Sequence, residues 1–444
     1  MNRIKSIFFV IAVSLPTLLF AQNGTTNKAW SLNDCIDYAL TQNVSVRQSI
    51  LTNASNELNK NQAEANKLPS LSASARQNFS WSKSKDLLTG DSDFSGNNNT
   101  SYGLNSSVTI YNAQRLNNLI KQAELDMQSG IYDSETIKES ISLSILNAFL
   151  QVVFLEENVK NAQNQLDATT EQLKLSEARL QSGIISRSDY LQVKSQLANE
   201  KLSLANAQSN FAISKVSLMQ LMELPVDDNF EVLRPNLEEL ANENLTPVAS
   251  DVYATALAIK PQIKSAEYQK ESAALNEKIA AAGFYPTISA DAGLSTGYSS
   301  YNTSNYFGQL GDQFTPSVGV SVSIPIFQKK QIKTSVAQAK IGYSNAELQE
   351  IDTKNQLRKE IEQACVDVLS AQIEFEANQE SYSSYEESYQ LAQEKFNNGL
   401  INSVDFLFER NNLITAESQL LQSKFNLIFS YKILDFYQGN PITL

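Results

Sequence analysis

Apolar and polar positions alternate with a period of two in four stretches of this chain. Leu71, Ala73, Ala75, Phe79 and Trp81 share one face, with Ser72, Ser74, Arg76, Asn78 and Ser80 opposite. Tyr102, Leu104, Val108 and Ile110 then face one way, and Gly103, Asn105, Ser107 and Thr109 the other. Ile288, Ala290, Ala292, Leu294 and Tyr298 repeat the pattern, followed by Val318, Val320, Val322 and Ile324. The predicted strands cover about 69–82, 101–111, 286–298 and 315–327, around polar loops at 83–100 and 299–314. Alternation over about ten residues fits tilted strands crossing an outer membrane, apolar toward lipid and polar toward a lumen. A soluble antiparallel sheet packed on a helix alternates equally well. Aromatic residues mark both ends of the predicted strands. Phe284, Tyr285, Tyr111 and Phe327 fall at one rim, and Phe79, Trp81, Tyr102 and Tyr298 toward the other, as two interfacial girdles require.

A second rhythm governs the rest. Ile141, Ile145, Ala148, Val152, Leu155 and Val159 open a 4-3 series that continues to Leu180. After a turn it resumes at Val193, Leu197, Glu200, Leu204, Ala207 and Phe211. This is a coiled-coil seam, and a helix from about Asn112 to Gln181 is roughly 100 Å long at 1.5 Å per residue. The turns read Gly183-Ile184-Ile185-Ser186-Arg187-Ser188-Asp189 and Gly399-Leu400-Ile401-Asn402-Ser403-Val404-Asp405. Glycine ends one helix in a left-handed cap and the acid opens the next. Capping accounts for the glycines, and for the acids it competes evenly with a functional role.

The two turns belong to a duplication. Leu68-Pro69-Ser70-Leu71 corresponds to Tyr285-Pro286-Thr287-Ile288, and Thr109-Ile110-Tyr111 to Pro325-Ile326-Phe327. Arg179 to Ile185 corresponds to Lys395 to Ile401, and Pro225 to Pro441. Each half reads as a helix (about Leu32 to Lys67, and about Ala249 to Gly283), a β-hairpin and a long helical hairpin. The predicted units are residues 22–223, a linker at 224–247, and residues 248–444. Four strands cannot close a barrel, because open edges inside lipid leave backbone groups unpaired. A trimer supplies about twelve.

Composition narrows the class. Asn2-Arg3-Ile4-Lys5 followed by an apolar run from Ile7 to Phe20 reads as a cleaved export signal over residues 1–21. No later segment approaches the roughly 20 apolar residues of a helical span, so membrane insertion is expected to use strands. A net charge of −13 repels nucleic acid. The chain has no histidine, no Cys cluster, no phosphate-binding glycine loop and no serine-nucleophile motif, so neither an enzyme nor a bound cofactor or metal is expected. Cys35 and Cys365 read as two buried free thiols, with a disulfide as the lesser possibility.

Together these features resemble the TolC-like outer-membrane factor family over essentially the whole mature chain. The resemblance rests on the duplicated order of elements, the Leu68-Pro69-Ser70-Leu71 and Tyr285-Pro286-Thr287-Ile288 openings of the strands, Pro325-Ile326-Phe327, and the paired Gly-to-Asp tips. It implies a mainly α chain with a β-barrel part, trimeric, with a twelve-stranded barrel set on an α-helical barrel in the periplasm. It also implies an exit duct for efflux or type I secretion, docked at tips such as Gly183, Ile184, Gly399 and Leu400 to a periplasmic adaptor and an inner-membrane transporter. In a well-known relative an acidic ring narrows the pore, and its first acid matches Asp405. A second acid falls on Phe408, so this chain departs from the pattern. Glu409 points about 100° further round the helix. Asp405, Phe408, Glu409 and Asp189 are therefore the candidate constriction, acidic or apolar. The alternative is a periplasmic coiled-coil adaptor or interaction protein, although such a chain usually carries a single helical hairpin.

Overall fold

The computed structural model describes residues 29–85, 90, 92–235 and 246–444. The predicted export signal, the tip of the first β-hairpin and the middle of the linker lie outside these residues. Helices α1 (Leu32–Gln42) and α2 (Val44–Ala65) lead to strands β1 (Ser70–Lys85) and β2 (Ser92–Tyr111). Helix α3 (Arg115–Gln181) runs to a tight turn, from which α4 (Arg187–Leu221) returns. The order then recurs as α5 (Ala249–Ile259), α6 (Pro261–Ala281), β3 (Thr287–Ser299), a short α7 (Tyr306–Asp312), β4 (Thr315–Ser323), α8 (Gln331–Asn397) and α9 (Ser403–Gln438).

Where one helix per half was expected before each β-hairpin, there are two. Asn43 ends α1 and caps α2, its side chain accepting from Ser45 N at 2.9 Å and donating to Leu221 O at 2.9 Å. In the second half Lys260 stands before Pro261 and is extended at φ −70°, ψ 126°. Proline clashes with an α conformation in the residue before it, so the helix must break there. Lys260 is buried, its Nζ 3.3 Å from both Glu139 carboxylate oxygens and 3.1 Å from the centre of the Phe436 ring. Burial pushes the Lys260 ammonium below its ordinary range and the Glu139 carboxyl above its own.

The long helices α3 and α8 are each 67 residues, about 100 Å at 1.5 Å per residue. Both are entered through two left-handed residues, Ala113 and Gln114 at φ 50° and 66°, Lys329 and Lys330 at φ 48° and 66°. A left-handed conformation costs a non-glycine residue about 1–2 kcal/mol, so the surrounding packing must hold these strand-to-helix corners.

The four strands form one antiparallel sheet in the order β1-β2-β3-β4. Its register places all the predicted apolar faces on one side. Ala73 pairs with Leu104, Leu104 with Leu294, and Leu294 with Pro316, while Ala292 pairs with Val318. The other side collects Ser74, Gly103, Asn105, Gly293 and Ser317. The ends differ from expectation. β1 and β2 extend into the region read as loop, and β4 stops at Ser323, because Pro325 has no N–H to continue the ladder. A bulge between Thr109 and Tyr111 sets Tyr111, rather than Ile110, opposite Ile288.

Helices α2, α3, α6 and α8 pack side by side in that order, the order of the strands they adjoin. Their contacts use small polar residues: Ser49 with Ser134 at 2.8 Å, Ser129 with Ser265 at 3.0 Å, and Ser272 Oγ donating to Asp126 at 2.5 Å. Further along, α3 pairs with α4 and α8 with α9. The main core lies there. Ile145, Leu146, Phe149, Val152 and Val153 of α3 are buried against Leu32 and Cys35 of α1, Leu218 and Met219 of α4, and Phe425 and Ile428 of α9. The expectation that no later segment resembles a helical span needs correction. An 18-residue window of α3 has mean hydropathy 1.3 and meets that criterion by length and composition. A third of that window is buried inside the chain, and the apolar residues of α3 from Ile145 to Val153 serve this core. Cys35 and Cys365 are free and buried in separate clusters, and burial pushes the Cys35 thiol up to about 12.

Candidate functional site

The turns joining α3 to α4 and α8 to α9 share one geometry. Gly183 and Gly399 adopt φ 71° and 72° with open space around the missing Cβ. Gly183 N donates to Leu180 O at 3.0 Å and Ile184 N to Arg179 O at 2.9 Å. Gly399 N donates to Phe396 O at 3.1 Å and Leu400 N to Lys395 O at 2.8 Å. Both are Schellman caps, and glycine is needed for its left-handed freedom, not for room. The residue after each glycine projects into solvent, Ile184 at 71% and Leu400 at 73% exposure. Val404 and Phe408 are exposed beside them, so the tips are apolar as well as polar.

The acids at the two tips are not equivalent. Ser186 and Asp189 form a capping box: Ser186 N donates to the Asp189 carboxylate at 3.1 Å and Asp189 N donates back to Ser186 Oγ at 3.1 Å, while Ser186 Oγ adds a bond to the same carboxylate at 2.7 Å. The other Asp189 oxygen accepts from Ser403 Oγ of the second tip at 2.8 Å. These bonds, Ser186 first and Ser403 second, hold the Asp189 carboxyl below the usual carboxylate range. At the second tip Asn402 Oδ1 takes the capping role, accepting from Asp405 N at 2.9 Å. The Asp405 carboxylate makes no ion pair or hydrogen bond among the described residues and is exposed. The sequence left capping and function open for both acids. Here Asp189 caps and ties, and Asp405 leaves its charge free.

Other links fasten the hairpins together. Arg179 lies 5.6 Å over the Phe396 ring, which stacks on Phe406 at 4.8 Å. Further from the tip, buried Arg410 donates to Gln165 O at 3.0 Å and lies 3.5 Å from Glu200, so α9 is joined to both α3 and α4. Sequence reasoning missed Ser403 and Arg410. A signal existed for their partner: Glu200 interrupts an apolar seam, and a charge there needs a buried counterpart. Glu409 is half-buried next to exposed Phe408. Asp189, Asp405, Phe408 and Glu409 thus share the tip region, with Asp189 committed to structure.

The aromatic residues singled out in the sequence fall near two ends of the sheet. Tyr111 and Tyr285 with Phe327 lie near the Tyr111–Ile288 end of the sheet, and Phe79, Trp81, Tyr102 and Tyr298 toward the other. Tyr306 of α7, unforeseen, joins the second group: its hydroxyl is 2.9 Å from that of Tyr102, and its ring lies 4.8 Å from that of Tyr298.

Known proteins share this architecture. The solved structure of CusC superimposes with a TM-score of 0.79 at 18% identity, covering 93% of this chain and 92% of that one. VceC of Vibrio cholerae, an outer membrane protein, gives 0.76 at 19% identity, covering 93% and 96%. In sequence, the outer membrane efflux protein BepC of Brucella suis is 23% identical over 75% of this chain and 71% of its own length. Toxin and drug export protein A of Aggregatibacter actinomycetemcomitans is 21% identical over 89% and 83%. The family profile described as outer membrane efflux protein matches residues 35–223 and 252–437. With most of both halves inside that match, this chain belongs to the outer membrane efflux protein family and is a protein of the outer membrane.

Proposed function

We propose that three copies of this chain close a twelve-stranded barrel that continues into an α-helical barrel, forming an exit duct from the periplasm. The carrying observation is a matched pair of open edges. Among the described residues β1 and β4 each leave one side unpaired, at several kcal/mol for each backbone group held in lipid. The helices end on the same sides. α2 exposes Val44, Arg47, Leu51, Ala54 and Leu58, and α8 exposes Ala337, Ile341, Ser344, Leu348 and Ile351. Each row keeps the 4-3 rhythm of a seam, so pairing β4 with a neighbour's β1 also sets α8 against the neighbour's α2. The recurring order of elements and the two-part family match support a duplicated chain of two structural units, residues 22–223 and 248–444, around the linker.

Export through the duct follows the names of its relatives, and the protein acts as a passage, without an enzyme's chemistry. The exposed apolar residues Ile184 and Leu400 suit docking of a periplasmic adaptor, which links the duct to an inner-membrane transporter. Three free Asp405 carboxylates near a threefold axis concentrate negative potential at the constriction, with Phe408 and Glu409 beside them. The test is conductance in planar bilayers. The protein should form cation-selective channels, and Asp405→Asn should lower that selectivity at low salt, where screening is weakest. Phe408→Ala should raise conductance if an apolar ring sets the width. No change in reversal potential with Asp405→Asn contradicts the acidic constriction.

A further inference from the structure

Helix α7 lies on the apolar side of the sheet. Thr296 Oγ1 donates to Leu310 O, and Tyr306 meets Tyr298 and Tyr102. Thr296, Tyr298 and Tyr102 all belong to the face that carries Leu104, Leu294 and Val318. On that face Thr100, paired with Tyr298, is only 8% exposed. The segment is therefore no free loop. Gln309, fully buried, pins it: Oε1 accepts from Ser299 N at 2.9 Å, and Nε2 donates to the carbonyls of Ser299, Asn302 and Ser304 at 3.2, 3.3 and 2.7 Å. Asn305 caps its start by accepting from Gly308 N at 2.6 Å.

What this pinned helix presents outward is aromatic. Phe307 is 83% exposed and Phe314 55%, while Asp312 is the only charged residue from 300 to 314. It sits at the last residues of β3, at the level of the Tyr102 and Tyr298 girdle. We propose that α7 is an interfacial anchor, lying outside the barrel and seating Phe307 and Phe314 in the lipid of the outer leaflet. This rests on the barrel reading, in which the apolar face meets lipid. A lumenal role is excluded by the face α7 occupies. A neighbouring subunit joins at β1 or β4, whereas α7 sits over β2 and β3, inside those edges. Apolar and aromatic side chains of an interfacial helix insert at the boundary of headgroups and acyl chains. With no basic residue in the segment, attraction to anionic headgroups contributes nothing, and the anchor is insensitive to salt.

The experiment places a nitroxide on Phe307→Cys and, separately, on Val318→Cys in the full-length protein reconstituted in vesicles of phosphatidylethanolamine and phosphatidylglycerol. Both sites are exposed on the chain, and the native cysteines are buried. Lipid-soluble oxygen should relax both labels more than a water-soluble nickel chelate does, with a smaller oxygen-to-chelate ratio at 307, the shallower site. Raising salt should leave the ratio at 307 unchanged. If oxygen dominates at 318 and the chelate at 307, the barrel reading stands and the anchor is overturned. If neither reagent reaches 307, protein covers it and the anchor is likewise wrong. Chelate dominance at 318 overturns the barrel reading and the anchor with it.

Discussion

Asp189 and Asp405 occupy matching places after Gly183 and Gly399, yet their carboxylates have different work. Asp189 closes a capping box and binds Ser403, so Asp189→Asn should cost about 1 kcal/mol of tip stability. Asp405→Asn should cost little, because Asn402 supplies the cap. Hydrogen exchange at the tips measures both. The pH dependence follows from the depressed Asp189 carboxyl. Its contribution is present above the unfolded carboxylate range and is lost as pH falls through its lower folded value. Tip protection should therefore hold across neutral and mildly acidic pH and fall only in strong acid. The sequence showed both acids but not this division, which turns on Ser186 standing where the second tip has Asn402. Either residue caps a helix; here the serine hydroxyl also donates to its acid and Ser403 reaches the same carboxylate, whereas Asn402 accepts from Asp405 N and leaves that carboxylate unengaged.

At the scale of elements, the long helices and the alternating strands were legible because their periods persist over many residues. The helix breaks were missed, although Lys260-Pro261 announced one of them. The other depends on Asn43 reaching Leu221 O, a partner 178 residues away. Helix α7 was hidden for a similar reason: seven residues carry too little periodicity, and Gln309 holds them through contacts a sequence does not display. The sheet faces give a sharp expectation. Leu104→Arg places a charge toward lipid and should cost roughly 2–4 kcal/mol, reducing assembly in the membrane. Asn105→Arg, one residue on, should assemble normally. The break at Lys260 gives another. Glu139→Gln strands a buried ammonium and should destabilise by about 3–5 kcal/mol. Adding Lys260→Met should recover much of the loss, a coupling that thermal unfolding of the four variants measures.

For the whole molecule, one principle links sheet and helices: both layers run in the same order and end on the same two sides. A chain with two open strand edges and two exposed helical seams is incomplete by itself. The proposed trimeric duct rests on that incompleteness, and so does the proposed placement of Asp405 around an axis. Native mass spectrometry of the purified protein released from detergent tests it most directly. A species of three chains is expected, reduced to monomers by Leu348→Glu in the α8 seam. A stable wild-type monomer that retains its β-structure contradicts it.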